Sequence, residues 1–270
     1  MKVKKHIALS GTGTLAYCTA AAWHEASLFV EPLSIHCTSG GCFTGVPLAM
    51  GFSAEDVVML LQGFNLSKMQ DWNPFPFVNW SPSGEGCGLL KGDAIKRALE
   101  GIVGSATFKD CQIDLNITAS DVAAKKCVFF NKTTTPNMRL VDAMRASISI
   151  PVLFNVPVIE GRQYVDGGIF ENIPLSQLSD KDLLGIKVES PWVDNTKPLS
   201  TIVDVALASI EMLMLAAERK YIEDAKFAKL VRVKVDKSGL RFDHSKKDIH
   251  DMMLEAKKQT RDQLDSILRT

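Results

Sequence analysis

Cysteine is scarce: six in 270 residues, Cys18, Cys37, Cys42, Cys87, Cys111 and Cys127. They form no CxxC pair and no cysteine–histidine spacing of a metal module, which leaves no zinc fold and no disulfide framework to expect; buried thiols in a reducing compartment fit better. An excess of one charge is missing as well. Lys+Arg and Asp+Glu both number 31, so the net charge is zero. Nucleic acid is therefore not an expected partner, and no general attraction to anionic lipid is built in. Long apolar runs are lacking too. The most apolar later stretch, Leu199 to Ala217, carries Asp204 and Glu211, and reads as a buried or interface helix rather than a membrane span. The N-terminal Met-Lys-Val-Lys-Lys meets only a short apolar run before Gly11, with no signal-peptide pattern. The expected location is cytoplasmic.

Apolar residues make up 46% and charged residues 23%, which excludes a disordered chain and allows a large core. With no linker and no internal repeat, one domain over residues 1–270 is expected. Strand and helix signals alternate in the first half: a strand at Val3–Leu9, a helix at Thr14–Ser27, a strand at Leu33–Cys37 and a helix at Gly41–Met50. Ser53 with Asp56 reads as a capping pair for a helix over Ala54–Phe64. This β-α-β-α order predicts a mainly parallel sheet covered by helices. Pattern breaks at Asn65–Gly88, where Trp72, Phe75, Phe77 and Trp80 sit among prolines and glycines; a loop of this length suits a lid or binding loop. Further on come helices over Gly92–Val103 and Leu140–Ser147, and strands over Gln112–Thr118, Lys126–Phe130, Val152–Val158 and Arg162–Val165. Strands at Leu183–Val188 and Lys229–Val235 and helices at Leu199–Tyr221 and Lys246–Leu268 complete the pattern.

Two glycine-bearing turns follow the first two strands. Gly11, Gly13 and Ala16 fit a dinucleotide fingerprint, yet the second strand ends Ile35-His36-Cys37-Thr38-Ser39 without the acid that would hold a ribose, and no Walker lysine follows. Successive N–H groups at such a turn still form an anion cradle. In the second turn, Cys37-Thr38-Ser39-Gly40-Gly41, a serine on a sharp strand-to-helix bend projects its hydroxyl at the positive end of a helix. A serine nucleophile needs a base. None of His6, His24, His36, His244 and His250 is well placed in the pattern, and His36 is expected to point away on its strand. Asp166, in Tyr164-Val165-Asp166-Gly167-Gly168 ahead of Asn172-Ile173-Pro174, is the better candidate.

Taken in order, the Gly-Thr-Gly turn, Ser39, the stretch Ala146–Phe154 and Val165-Asp166-Gly167-Gly168 with Asn172 and Pro174 resemble the patatin-like phospholipase family, over roughly Ile7 to Pro174. The resemblance implies a three-layer α/β sandwich with a mainly parallel central sheet. It also implies a lipid acyl hydrolase, peripheral at a membrane surface, acting on phospholipid or a related lipid ester. Ser39 matches the family's nucleophile and Asp166 its dyad aspartate, with no catalytic histidine, metal or cofactor. Gly11, Thr12 and Gly13 match its oxyanion loop, and Gly40 offers a further N–H. Departures are Thr12 for the middle glycine, Leu15 for the usual basic residue, Ala16 for the next glycine and Cys37 for the first glycine of the serine motif. They keep open a second reading, an impaired member that binds lipid or a partner.

Overall fold

The computed structural model describes residues 2–64, 66–74, 76, 87–178, 182–191, 198–225 and 228–269. In chain order its principal elements are β1 (Val3–Leu9), α1 (Ala16–Ala26), β2 (Val30–Thr38), α2 (Cys42–Ala49), α3 (Ala54–Gly63) and α4 (Asp93–Val103). Then come β3 (Asp114–Asp121), β4 (Lys126–Asn131), α5 (Leu140–Ser147), β5 (Val158–Ile159), β6 (Arg162–Asp166) and α6 (Gly168–Glu171). The chain ends with β7 (Leu183–Glu189), α7 (Ile202–Asp224), β8 (Lys229–Lys234) and α8 (Lys246–Arg269).

The strands form one sheet in the order β5–β6–β3–β2–β1–β7–β8, with β4 added to β3. The pairs β1/β2, β1/β7, β2/β3 and β7/β8 are parallel, while β4 and β6 run antiparallel to β3. Successive strand side chains point to opposite faces, and β1 shows the result. Ile7 and Leu9 enter the main core with α1, α2, α5 and α8, whereas Ala8 joins a smaller cluster with Ile173, Leu175, Leu183 and Ala225. These two cores, one on each face, make the three-layer α/β sandwich expected from the sequence. Helix α1, alanine-rich and buried over almost its whole surface, packs between α3 and α8.

Local signals explain most boundaries. The Ser53 side chain accepts the N–H of Asp56 and the Asp56 carboxylate accepts that of Ser53, the full capping box at the start of α3. The run Val152–Val158 is not the expected strand. Pro151 and Pro157 bracket it without N–H donors, and Val152 turns the chain with φ at +71°. Val158–Ile159 pairs with β6 and Phe154 makes an isolated parallel bridge to Leu90; Leu153 and Phe154 are buried in the wall of a cavity. The helix foreseen near Leu199–Tyr221 is present as α7 but is not buried: Met214 and Glu218 alone of its residues are. In the Asn65–Gly88 loop, Phe75, Phe77 and Trp80 lie outside the described residues. Its stem is tied together by Asn73 N–H to Leu89 O (2.8 Å) and Lys91 N–H to Asp71 O (2.9 Å), with Trp72 exposed.

Candidate active site

β1 and β2 end side by side at the carboxyl edge of the sheet. β2 and β3 continue to one side of β1 and β7 and β8 to the other, so the turn after β1 lies at the point where strand order reverses, the usual place for a ligand crevice in such sheets. The turn after β2 is sharp. Ser39 adopts φ of +49°, a left-handed conformation worth about 1–3 kcal/mol of strain in a non-glycine residue. It is held because the chain crosses closely: a Cβ at Gly41 would lie 2.6 Å from Ser10 O, and one at Gly40 would lie 2.5 Å from Thr12 Oγ1. Cys37 fits where a smaller residue was expected because α2 presents Gly45 to it; a Cβ there would stand 3.1 Å from Cys37 Cβ.

Strand β3 sets the distance between Ser39 and Asp166. Its residues Asn116–Thr118 pair with both β2 and β4, and Ala119–Asp121 pair with both β6 and β4. With β4 along one edge, β2 and β6 meet end to end along the other. The neighbours Thr118 and Ala119 face Thr38 and Asp166, so the residue after Thr38 arrives beside the Asp166 carboxylate. Ser39 Oγ donates to Asp166 Oδ2 at 2.6 Å, and Gly168 N–H donates to Oδ1 at 2.7 Å. Gly167 must be glycine here, since a Cβ would lie 2.3 Å from Thr118 O. Asp166 is fully buried. Burial pushes its carboxyl up to about 7, against the opposing pull of the Ser39 and Gly168 hydrogen bonds.

The Ala146–Pro151 stretch anchors both partners. Ser147 Oγ accepts the Ser39 N–H at 2.8 Å, and Ser147 O accepts that of Gly167 at 3.2 Å. Ser149 O accepts the Asp166 N–H at 2.9 Å, and Ser120 Oγ donates to Asp166 O at 2.8 Å. The stretch is held from behind by Arg145, whose guanidinium donates to Ser149 Oγ, to Lys91 O and to Asn155 O. No histidine bonds to Ser39 or Asp166 among the described residues. His36 points away to Ser34 Oγ, itself bonded to His6, and burial, then the His6 charge, lowers its pKa to about 4.

The Gly11–Gly13 turn lies against the serine. A Cβ at Gly11 would lie 3.1 Å from Ser39 Cβ and 2.3 Å from Asn172 Oδ1. The Gly11 N–H itself donates to Asn172 O at 2.8 Å, while those of Thr12 and Gly13 meet no acceptor among the described residues. Gly13 has φ of +55°, and a Cβ on it would lie 2.0 Å from Gly239 O. Asn172 and the 239–242 segment were not among the sequence's site residues. Asn172 could have been drawn from its place after Asp-Gly-Gly, whereas nothing local marks Gly239.

That segment roofs the site. Thr14 N–H and Oγ1 both donate to Gly239 O, and Oγ1 also to Arg241 O at 2.7 Å. Phe242 meets Phe154 edge-on at 6.4 Å between ring centres. The apolar cavity beneath, lined by Ser39, Phe43, Ile148, Leu153, Phe154 and Phe242, measures about 40 Å³. A cleft of about 460 Å³ opens on the other side of Gly11 and Thr12, between the end of β7 and α7. There the Lys187 ammonium sits between Glu189 and Glu218, and Asn172 Nδ2 donates to Glu218 Oε2 at 2.7 Å. Another basin, about 490 Å³ around Lys91, Arg139 and Arg145, is lined by neither Ser39 nor Asp166.

A buried serine–aspartate pair at the carboxyl edge of a parallel sheet, beside a glycine turn with outward N–H groups, defines a class of α/β proteins equipped for acyl chemistry. The model of the patatin-like phospholipase family matches residues 7–179, and the chain belongs to that family of lipid hydrolases. It is 28% identical over 190 residues to an uncharacterised protein of Acanthamoeba polyphaga mimivirus, covering 66% of this chain and 62% of that one. It is 32% identical over 98 residues to an uncharacterised NTE family protein of Mycobacterium tuberculosis, covering 36% of this chain and 26% of that one. The chain thus spans less than two thirds of the length of these relatives. Among solved structures, VipD from Legionella pneumophila has a TM-score of 0.65 at 14% identity, covering 97% of this chain and 67% of that one. ExoU from the type III secretion system of Pseudomonas aeruginosa, in complex with SpcU, has a TM-score of 0.50 at 18% identity, covering 100% and 53%. Both share the fold. Among the described residues, no helix is long and apolar enough to cross a membrane.

Proposed function

We propose that the protein is a phospholipase A-type acyl hydrolase that cleaves carboxylic esters of phospholipids or related lipids through an acyl-serine intermediate. The observation that carries this reading is the 2.6 Å hydrogen bond from Ser39 Oγ to a fully buried Asp166 whose carboxyl is raised to about 7. An ordinary carboxylate near 4 is a weak base toward a hydroxyl; one poised near neutrality is a better one. Asp166 takes the hydroxyl proton as Ser39 Oγ attacks the ester carbonyl. The developing oxyanion is held by the N–H groups of Thr12 and Gly13, with Gly40 beside them, while Gly11 contributes close approach and its bond to Asn172. Asp166 returns the proton to the leaving alcohol or lysolipid, and then activates water to free the acyl group. The apolar cavity by Ser39 receives the acyl chain, and the loop rising from Asp71–Asn73 and Leu89–Lys91 serves as a lid. Residues 1–270 act as one catalytic domain.

A fluorophosphonate probe tests the reading. Ser39 is expected to be labelled at neutral pH, and a Ser39→Ala protein, with an unchanged melting temperature, is expected to remain unlabelled. A folded wild-type protein that leaves the probe unreacted would instead support an impaired, lipid-binding member.

The roof yields a second expectation. At about 40 Å³ the cavity is narrow, and the Phe242 ring is part of what bounds it. Phe242→Ala should raise the long-chain to acetyl ratio of kcat/KM on nitrophenyl esters at least threefold. An unchanged or lower ratio in a protein that still melts cooperatively would assign the ring to packing alone.

A further inference from the structure

Helix α7 is built inside out. Its inward side carries acidic groups: Glu211 lines the cleft beneath it, and Glu218, buried, is bonded to Lys187 and Asn172. Its outward side is apolar. Ile202 is 84% exposed, Met212 70%, Leu213 66% and Val205 49%. At 100° per residue these positions and Ala216 fall on one stripe. Ser209, the polar residue within it, folds its hydroxyl back onto Val205 O at 2.8 Å. Arg219 and Lys220, exposed and in no ion pair among the described residues, follow the stripe toward its C-terminal end, with exposed Glu223 one turn further on the same face. Soluble proteins seldom leave so much contiguous apolar surface uncovered.

We propose that the outward face of α7 seats on the surface of a phospholipid bilayer, its stripe among the upper acyl chains and Arg219 and Lys220 on lipid phosphates. This rests on the reading of the chain as a lipid hydrolase. Two observations select lipid as the occupant. The paired cations follow the apolar stripe, the order in which an interfacial helix meets hydrocarbon and then headgroup. The inward side of the same helix walls the cleft that opens on Gly11 and Thr12, and Met214 packs on Gly168 beside the Asp166 carboxylate. Seating there brings the bilayer to the rim of the cleft that opens on the Gly11–Thr12 turn. Because the net charge is zero, apolar insertion supplies most of the affinity and the two cations the remainder.

The test uses the full chain with extruded vesicles of phosphatidylcholine and of phosphatidylcholine with phosphatidylglycerol. Met212→Ser with Leu213→Ser should lower vesicle partitioning at least tenfold in flotation. Arg219→Gln with Lys220→Gln should lower it two- to fivefold. Hydrolysis of a soluble short-chain ester should stay within twofold in both, since none of these residues contacts Ser39 or Asp166. Ser39→Ala should float with vesicles as the wild type does. Wild-type partitioning retained by Met212→Ser with Leu213→Ser overturns the proposal. A wild-type dimer in sedimentation that this pair dissociates, with partitioning unaffected, overturns it in favour of a second copy on the same face. Partitioning that depends on Met212 and Leu213 in a wild type unable to cleave any ester supports the docking face and removes the hydrolase reading.

Discussion

Asp166→Asn is expected to lose 10²- to 10⁴-fold in kcat, the usual contribution of a general base, while making the protein more stable at alkaline pH. Asparagine keeps the shape and the Gly168 contact but takes no proton. The stability sign follows from burial. The carboxyl titrates near 7 in the fold and near 3.8 in the unfolded chain, so the folded state binds the proton more tightly. Below about pH 3.8 both states are protonated and the site contributes no penalty. As pH rises from 3.8 to 7 the unfolded chain ionises first and stability falls; above 7 the penalty is complete, on the order of 4 kcal/mol at ~1.4 kcal/mol per tenfold difference in affinity. Asparagine carries no such charge, so its melting temperature should exceed that of the wild type by several degrees at pH 8 and approach it near pH 4. Wild-type kcat/KM on a soluble ester should rise about tenfold per pH unit below 7 and level off above. Retained turnover in Asp166→Asn, or a melting difference independent of pH, would refute the role given to this carboxylate.

Gly13→Val should lower turnover 10²- to 10³-fold, the effect of losing an oxyanion donor. A β-branched side chain at φ of +55° is strained, and its Cβ would enter the Gly239 carbonyl, so the turn must shift and its N–H groups lose their aim. Thr12→Gly, which preserves the N–H, should stay within threefold. The pair separates backbone from side chain: unchanged turnover in a Gly13→Val protein that still melts cooperatively would remove the turn from the reaction.

The legible parts of this protein are those written in local chemistry. The Ser53–Asp56 box, the glycines around Ser39 and the Asp166-Gly167-Gly168 turn each serve the few residues next to them, and each was readable at its place. The Val152–Val158 run misled because its apolar side chains fit a strand equally well, while Pro151, Pro157 and the left-handed Val152 make it a cavity wall. The outward face of α7 was hidden for a related reason: apolarity along a helix calls for a cover without saying what the cover is. The bond of Gly11 to Asn172 and the roof over Ser39 depend on partners brought together by the sheet, and no pattern within either segment announces them.

The roof also bears on how the molecule is assembled during synthesis. β1 leaves the ribosome well before β7, yet one of its edges is completed only when β7 follows, and the bond from Thr14 to Gly239 spans 225 positions. Segments this far apart in sequence close late in folding. β1 therefore keeps one unpaired, aggregation-prone edge until β7 is made. The Gly13 turn gains its ceiling only after β8 has been made, so the surroundings of Ser39 are completed long after the turn that carries it.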